Sequence, residues 1–134
     1  MGVVTLIGRL VVAWFFIASG AGSVIRAGRV AAHARQRGVP RAREVTQSAG
    51  VLMALIGVAL AVGLWLDLAL ILAVVLLVAI AIVMHPFWSV AGLERERMSV
   101  QFWKDLALAG ALAVWLAYVI DTGDVAFAVT EPLF

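Results

Sequence analysis

The sequence predicts an all-α integral membrane bundle of four transmembrane helices in up-down order, and three observations carry that reading. Of 134 residues, 65% are hydrophobic and only 13% are charged, which is too apolar for a soluble domain built round one core. Four stretches reach or approach the roughly 20 apolar residues that cross a hydrocarbon core as a helix. Nine of the ten basic residues fall in, or at the edge of, the two connections that such a topology places at one end. No polar linker divides the chain, so residues 1–134 are read as a single transmembrane domain.

The first span is placed at about 3–25. Its apolar run has no positive segment before it and carries Arg9 within it, so it is expected to be a retained helix and not a cleaved signal peptide. The connection that follows holds Arg26, Arg29, Arg35, Arg37, Arg41 and Arg43. Arg26, Arg29, His33 and Arg37 recur there at helical spacing, with Ala27, Val30, Ala31 and Ala34 between them, until Gly38-Val39-Pro40 ends the pattern. Two readings fit: a basic interfacial helix lying on anionic headgroups, or a solvated loop whose arginines fix topology. The same arginines could meet a partner protein.

The second and third spans, at about 48–66 and 68–87, are separated so narrowly that a tight antiparallel hairpin is required. A single helix through both would exceed the bilayer and leave Asp67 at depth. After Pro86, Gly92 and the run Glu94-Arg95-Glu96-Arg97 read as a polar, solvated turn. The fourth span is placed at about 102–120. Arg95, Arg97 and Lys104 join the six arginines of the first connection, so the positive-inside tendency puts both connections in the cytoplasm and both termini outside. The acidic tail, with Asp121, Asp124 and Glu131, agrees.

Few polar residues remain to be explained. Arg9 lies about 9 Å along the helix from Val3, and a charge at that depth snorkels or finds a partner. Asp67 and Asp121 are the available counter-ions, so an ion pair clamping the helix ends is expected; holding an anion such as a sulfur oxyacid is the functional alternative. His85, in Met84-His85-Pro86-Phe87-Trp88, stands where the last carbonyls of a helix favour a donor, and Trp88 suits the headgroup zone. That motif is read as an interface anchor with a proline stop. Its functional reading has His85 hydrogen-bonding a quinone carbonyl, with Trp88, Phe102 or Trp103 flanking the ring and Lys104 or Asp105 nearby.

The chain has no cysteine, which excludes disulfides and thiol redox chemistry by this subunit alone. With two histidines, neither haem ligation nor a zinc site is expected. Paired carboxylates, a nucleophile elbow, a phosphate loop and nucleic-acid motifs are absent, so no catalytic residue and no nucleic-acid partner is predicted.

Several pieces carry a resemblance. They are Gly8-Arg9-Leu10 with Ala18-Ser19-Gly20 in the first span, Gly57 to Gly63 in the second, His85-Pro86-Phe87-Trp88, and Phe102-Trp103-Lys104-Asp105 leading to Gly110 in the fourth. As a set, spread over most of the chain, they resemble the DoxX family of small bacterial membrane proteins. The resemblance implies a four-helix bundle in a bacterial plasma membrane and a link to redox enzymes; the related DoxD proteins are subunits of an archaeal thiosulfate:quinone oxidoreductase. Two positions depart from the family pattern. Met53 stands near a position where the second span often carries glutamate, and Lys104-Asp105 replaces the usual Lys-Asn. The resemblance therefore implies a fold, and mechanism must be read from this chain's own residues. The reading is a non-catalytic accessory or anchoring subunit of a larger, redox-related complex, its partners being membrane lipids and other membrane or redox proteins, or itself as a homo-oligomer. The alternative is a quinone-interacting subunit of a membrane oxidoreductase with ligand contact near His85, quinone being the one cofactor considered.

Overall fold

A computed structural model describes residues 2–133. It contains five α-helices: α1 (Gly2–Ile25), α2 (Ala27–Gln36), α3 (Ala42–Val62), α4 (Leu66–Met84) and α5 (Gly92–Thr122), with a 3₁₀ turn at Phe87–Ser89 before α5. Four of them, α1, α3, α4 and α5, are long and apolar enough to cross a membrane. At 1.5 Å per residue even α4 extends about 28 Å, close to the roughly 30 Å hydrocarbon core. The protein is thus an all-α, multi-pass membrane protein.

The bundle is built from two pairs, α1 on α3 and α4 on α5, joined by the α3–α4 hairpin. Its core takes Ala13 and Phe16 from α1, Met53, Ile56 and Leu60 from α3, Leu66, Leu70, Ala73 and Leu77 from α4, and Ala109, Leu112 and Val119 from α5. Within each helix these positions recur at three-, four- or seven-residue steps, one face of an α-helix. The opposite faces are equally apolar, with Val3, Val11, Trp14, Leu55, Val75 and Val114 exposed, as a lipid-facing surface should be.

The α1–α3 contact is close because it is lined by glycine. A methyl group at Gly20 would meet the Gly50 carbonyl and lie 2.6 Å from the Ala54 nitrogen; one at Gly57 would lie 2.7 Å from Ile17 Cγ1 and 2.8 Å from the Ala13 carbonyl. Close backbone approach replaces the hydrophobic drive where the solvent is itself apolar.

Three features differ from the sequence reading. Glu94-Arg95-Glu96-Arg97 is no turn: it forms the opening of α5, which starts ten residues before the expected span, and α3 likewise starts at Ala42 and not at 48. Residues outside a hydrocarbon core can be polar and still helical, so a hydropathy pattern marks only the lipid-crossing part of each helix. The first connection does contain a helix, α2, but its alanine face is turned inward. Ala27, Ala31 and Ala34 are buried, the last two packed with Ala42, Val39 and Met84, so protein covers the face expected to rest on headgroups. Finally, the tail after α5 is folded back over the bundle end. Val129 N–H donates to the carbonyls of Val62 and Gly63, and Trp65 N–H to Thr130 Oγ1, satisfying groups that the ends of α3 and α4 leave open. Gly63, at φ 74°, both ends α3 in the left-handed region and leaves the room that Ala128 occupies.

Candidate functional site

The polar side chains gather at the two ends of the bundle. At the end shared by the termini, Arg9 is buried and its guanidinium donates from Nη1 to the Ala126 carbonyl at 2.8 Å and from Nη2 to the Phe127 carbonyl at 2.9 Å. These bonds run to the backbone of the tail. Asp67 is fully buried in the first turn of α4 and its Oδ2 accepts the Leu133 N–H at 2.7 Å, while Asp121 is exposed. Both Arg9 and Asp67 are therefore turned to one task, fastening the tail across the bundle end. Sequence reasoning singles out both residues but not these contacts, because a backbone carbonyl or N–H carries no signature in a sequence.

At the opposite end α4 stops through Pro86. Phe87 N–H donates to the His85 carbonyl at 2.8 Å across an inverse γ-turn centred on Pro86 (φ −76°, ψ 75°), and the 3₁₀ turn follows, closed by Ser89 N–H and Oγ on the Pro86 carbonyl. This turn carries the chain to α5, where Asp105 faces back: its Oδ2 lies 3.5 Å from His85 Nε2, and its side chain is only 10% exposed. A separation of 3.5 Å is an electrostatic contact longer than a good hydrogen bond. The carbonyl at the end of α4 is met by the other histidine, His33 of α2, whose Nε2 lies 3.1 Å from the Met84 oxygen; as the carbonyl is an acceptor only, Nε2 of His33 carries the proton.

The aromatic residues expected to flank a ligand ring pack on one another. Phe87 fills the centre, edge-on to Trp88 (centroids 5.4 Å) and Phe102 (5.2 Å), and Phe102 stands edge-on to Trp103 at 5.2 Å. Arg95 lies over the outer side of the Phe87 ring at 5.9 Å, a cation–π contact. Trp88 and Trp103 keep more than half their surface exposed, and Lys104 is exposed beside them. The opening next to His85, about 580 Å³, is lined by other residues, among them His33, Glu94, Met98 and Gln101. His85 and Asp105 are thus brought together, while Trp88, Trp103 and Lys104 form a neighbouring outer cluster.

Of the six arginines in the first connection, Arg26, Arg29, Arg35, Arg41 and Arg43 are exposed, and Arg41 pairs with Glu44 one turn on, at 2.6 Å. Arg37 alone is drawn inward: its side chain is 10% exposed, and Nη2 lies 3.4 Å from Glu94 Oε1 and 3.5 Å from Met98 Sδ. Its signal in the sequence is the four-residue step from His33, matched on α5 by the same step from Glu94 to Met98. A histidine held by a carboxylate beside an opening can donate or accept one hydrogen bond and take up a proton. The opening offers no hydroxyl or thiol among the residues lining it.

No curated protein and no solved structure matches the chain. The family model for DoxX matches residues 4–86, which take in α1 to α4 and end just past His85, leaving Asp105 and the α5 aromatics outside the matched region. With more than half of its length matched, the chain belongs to the DoxX family.

Proposed function

We propose that the protein is a non-catalytic accessory or anchoring subunit of a larger membrane complex, one linked to redox chemistry as the family resemblance suggests. The observation that carries this is how the buried polar groups are employed. Arg9 and Asp67 hold the tail, and Thr46 donates to the Ala42 carbonyl of its own helix. Among the described residues, Asp105, beside His85, and the Arg37 side chain are left where a ligand could reach them. Such a bundle offers packing surface more than reactive groups: α1 exposes Val3, Val4, Ile7, Val11 and Trp14 along one apolar face, to lipid or to a partner helix. The charge bias puts the arginine-rich end in the cytoplasm of a bacterial cell, where Arg26, Arg29, Arg35, Arg41 and Arg43 meet headgroups or a partner.

A second reading has one observation in its favour. His85 borders an opening and is faced by Asp105, an arrangement suited to a quinone carbonyl at the membrane surface. One experiment separates the two. The full chain is purified from its native membrane in a mild detergent, the co-purifying proteins are identified by mass spectrometry, and quinone is assayed in the same sample. Stoichiometric recovery with a membrane redox enzyme is expected. Recovery alone, as a homo-oligomer retaining quinone that His85→Ala releases, would replace the accessory reading with the second.

A further inference from the structure

A second cavity lies apart from the His85 opening, on the seam between the α1–α3 and α4–α5 pairs. It measures about 610 Å³, within the usual range for a small-molecule site. Its walls are aliphatic: Ala49 and Met53 of α3 face Leu76, Ile80 and Val83 of α4. From Met84 to Leu76 on α4 the cleft runs eight residues, about 12 Å by helical rise, most of the ~15 Å that one leaflet contributes to the hydrocarbon core. A cleft of that depth and lining is matched to an extended hydrocarbon chain.

Its one charged lining residue is Arg37, at the end under the α2–α3 connection. Nine-tenths of that side chain is buried, and Nε has no hydrogen-bond partner among the described residues. The remaining contacts are weak: Nη2 reaches Glu94, itself largely exposed, only at 3.4 Å. A guanidinium has five donors and no acceptor, and burying its Nε–H unmatched is costly unless an anion completes the set. A phosphate or carboxylate does so with the planar, two-pronged geometry that arginine prefers. Arg41 and Arg43, exposed on the next turn of chain, add positive charge at the same end.

We propose that this cleft is a binding site for an anionic membrane lipid, with one acyl chain lying between α3 and α4 and the headgroup phosphate on Arg37. The site is independent of the accessory-subunit reading, since it requires neither a partner protein nor His85.

The test uses the full chain in detergent, titrated with phosphatidylglycerol or with phosphatidylcholine of the same acyl length, and read by native mass spectrometry. The wild-type protein is expected to retain phosphatidylglycerol roughly tenfold more strongly, the scale of a charge-assisted pair. Arg37→Gln should abolish that preference. Ala49→Phe and Ala79→Phe, which place a ring in the cleft, should abolish retention of both lipids while Arg37 stays in place. Equal retention of the two lipids by the wild-type protein would overturn the proposal, and that comparison needs no variant to fold. It would equally be overturned by displacement of phosphatidylglycerol with inorganic phosphate alone, which would mark an anion site without a chain, or by retention of a neutral prenylquinone in its place.

Discussion

Arg9 is held by two carbonyl oxygens of the tail, and the loss of those bonds can be measured. Hydrogen bonds to a charged group contribute more than neutral ones, and a buried acceptor left without its donor carries its own penalty. Arg9→Gln should lower unfolding stability by about 2–3 kcal/mol and expose residues 123–133 to limited proteolysis in detergent. Arg9→Lys should fall between the two, because an ammonium cannot offer the parallel donors of a guanidinium to neighbouring carbonyls. A tail no more protease-sensitive in Arg9→Gln than in the wild-type protein would remove the clamp from the account. The same residue shows where sequence reading stops: that a charge so deep must be partnered follows from the sequence, whereas the choice of Ala126 and Phe127 depends on the path of a tail with no periodic pattern. His85 is parallel. Its position at a helix end is legible in the proline that follows, but its carboxylate partner is twenty residues away on α5, and His33 takes the carbonyl that His85 was expected to serve.

Among the elements, the α1–α3 pair is the most sensitive to volume. Gly57→Ala and Gly20→Ala each place a methyl group against the backbone of the facing helix, where neither side can yield without moving a whole helix. Each should cost about 1–3 kcal/mol, the usual range for overpacking, measured by thermal or denaturant unfolding in a fixed detergent. Gly110 of α5 has nothing within 4 Å of an added methyl, so Gly110→Ala should be neutral or stabilise by up to about 1 kcal/mol. If all three behaved alike, glycine would be acting through helix propensity and not through contact. The four spans are legible because lipid demands about 20 apolar residues from each. The buried face of each span is not, because α4 is apolar around its whole circumference and a periodic signal needs a polar side for contrast. Nor is the close approach of Gly20 to Gly50, which meet only once two helices are docked.

At the scale of the whole molecule, the fold ties charge to sidedness. Both termini and the α3–α4 hairpin lie at one end, held together by the tail's bonds to Arg9, Gly63 and Asp67, while α2, the 3₁₀ turn and the start of α5 make the other. Arg9 is the one basic residue of the first end, and it is buried there; the other nine belong to the second. An asymmetry of nine to one in short connections is the condition under which positive charge dictates orientation. The absence of cysteine makes the orientation testable, since any introduced thiol is the only one present. Glu131→Cys and Arg29→Cys both replace exposed side chains at opposite ends. In intact cells with the outer envelope opened, a membrane-impermeant maleimide should label the first and leave the second unlabelled until the plasma membrane is permeabilised. The reverse pattern would turn the protein over, placing the arginines and the lipid cleft beneath them in the outer leaflet. Labelling of both residues before permeabilisation would mean that the two ends do not lie on opposite sides of a membrane, and the four-span topology would fall with it.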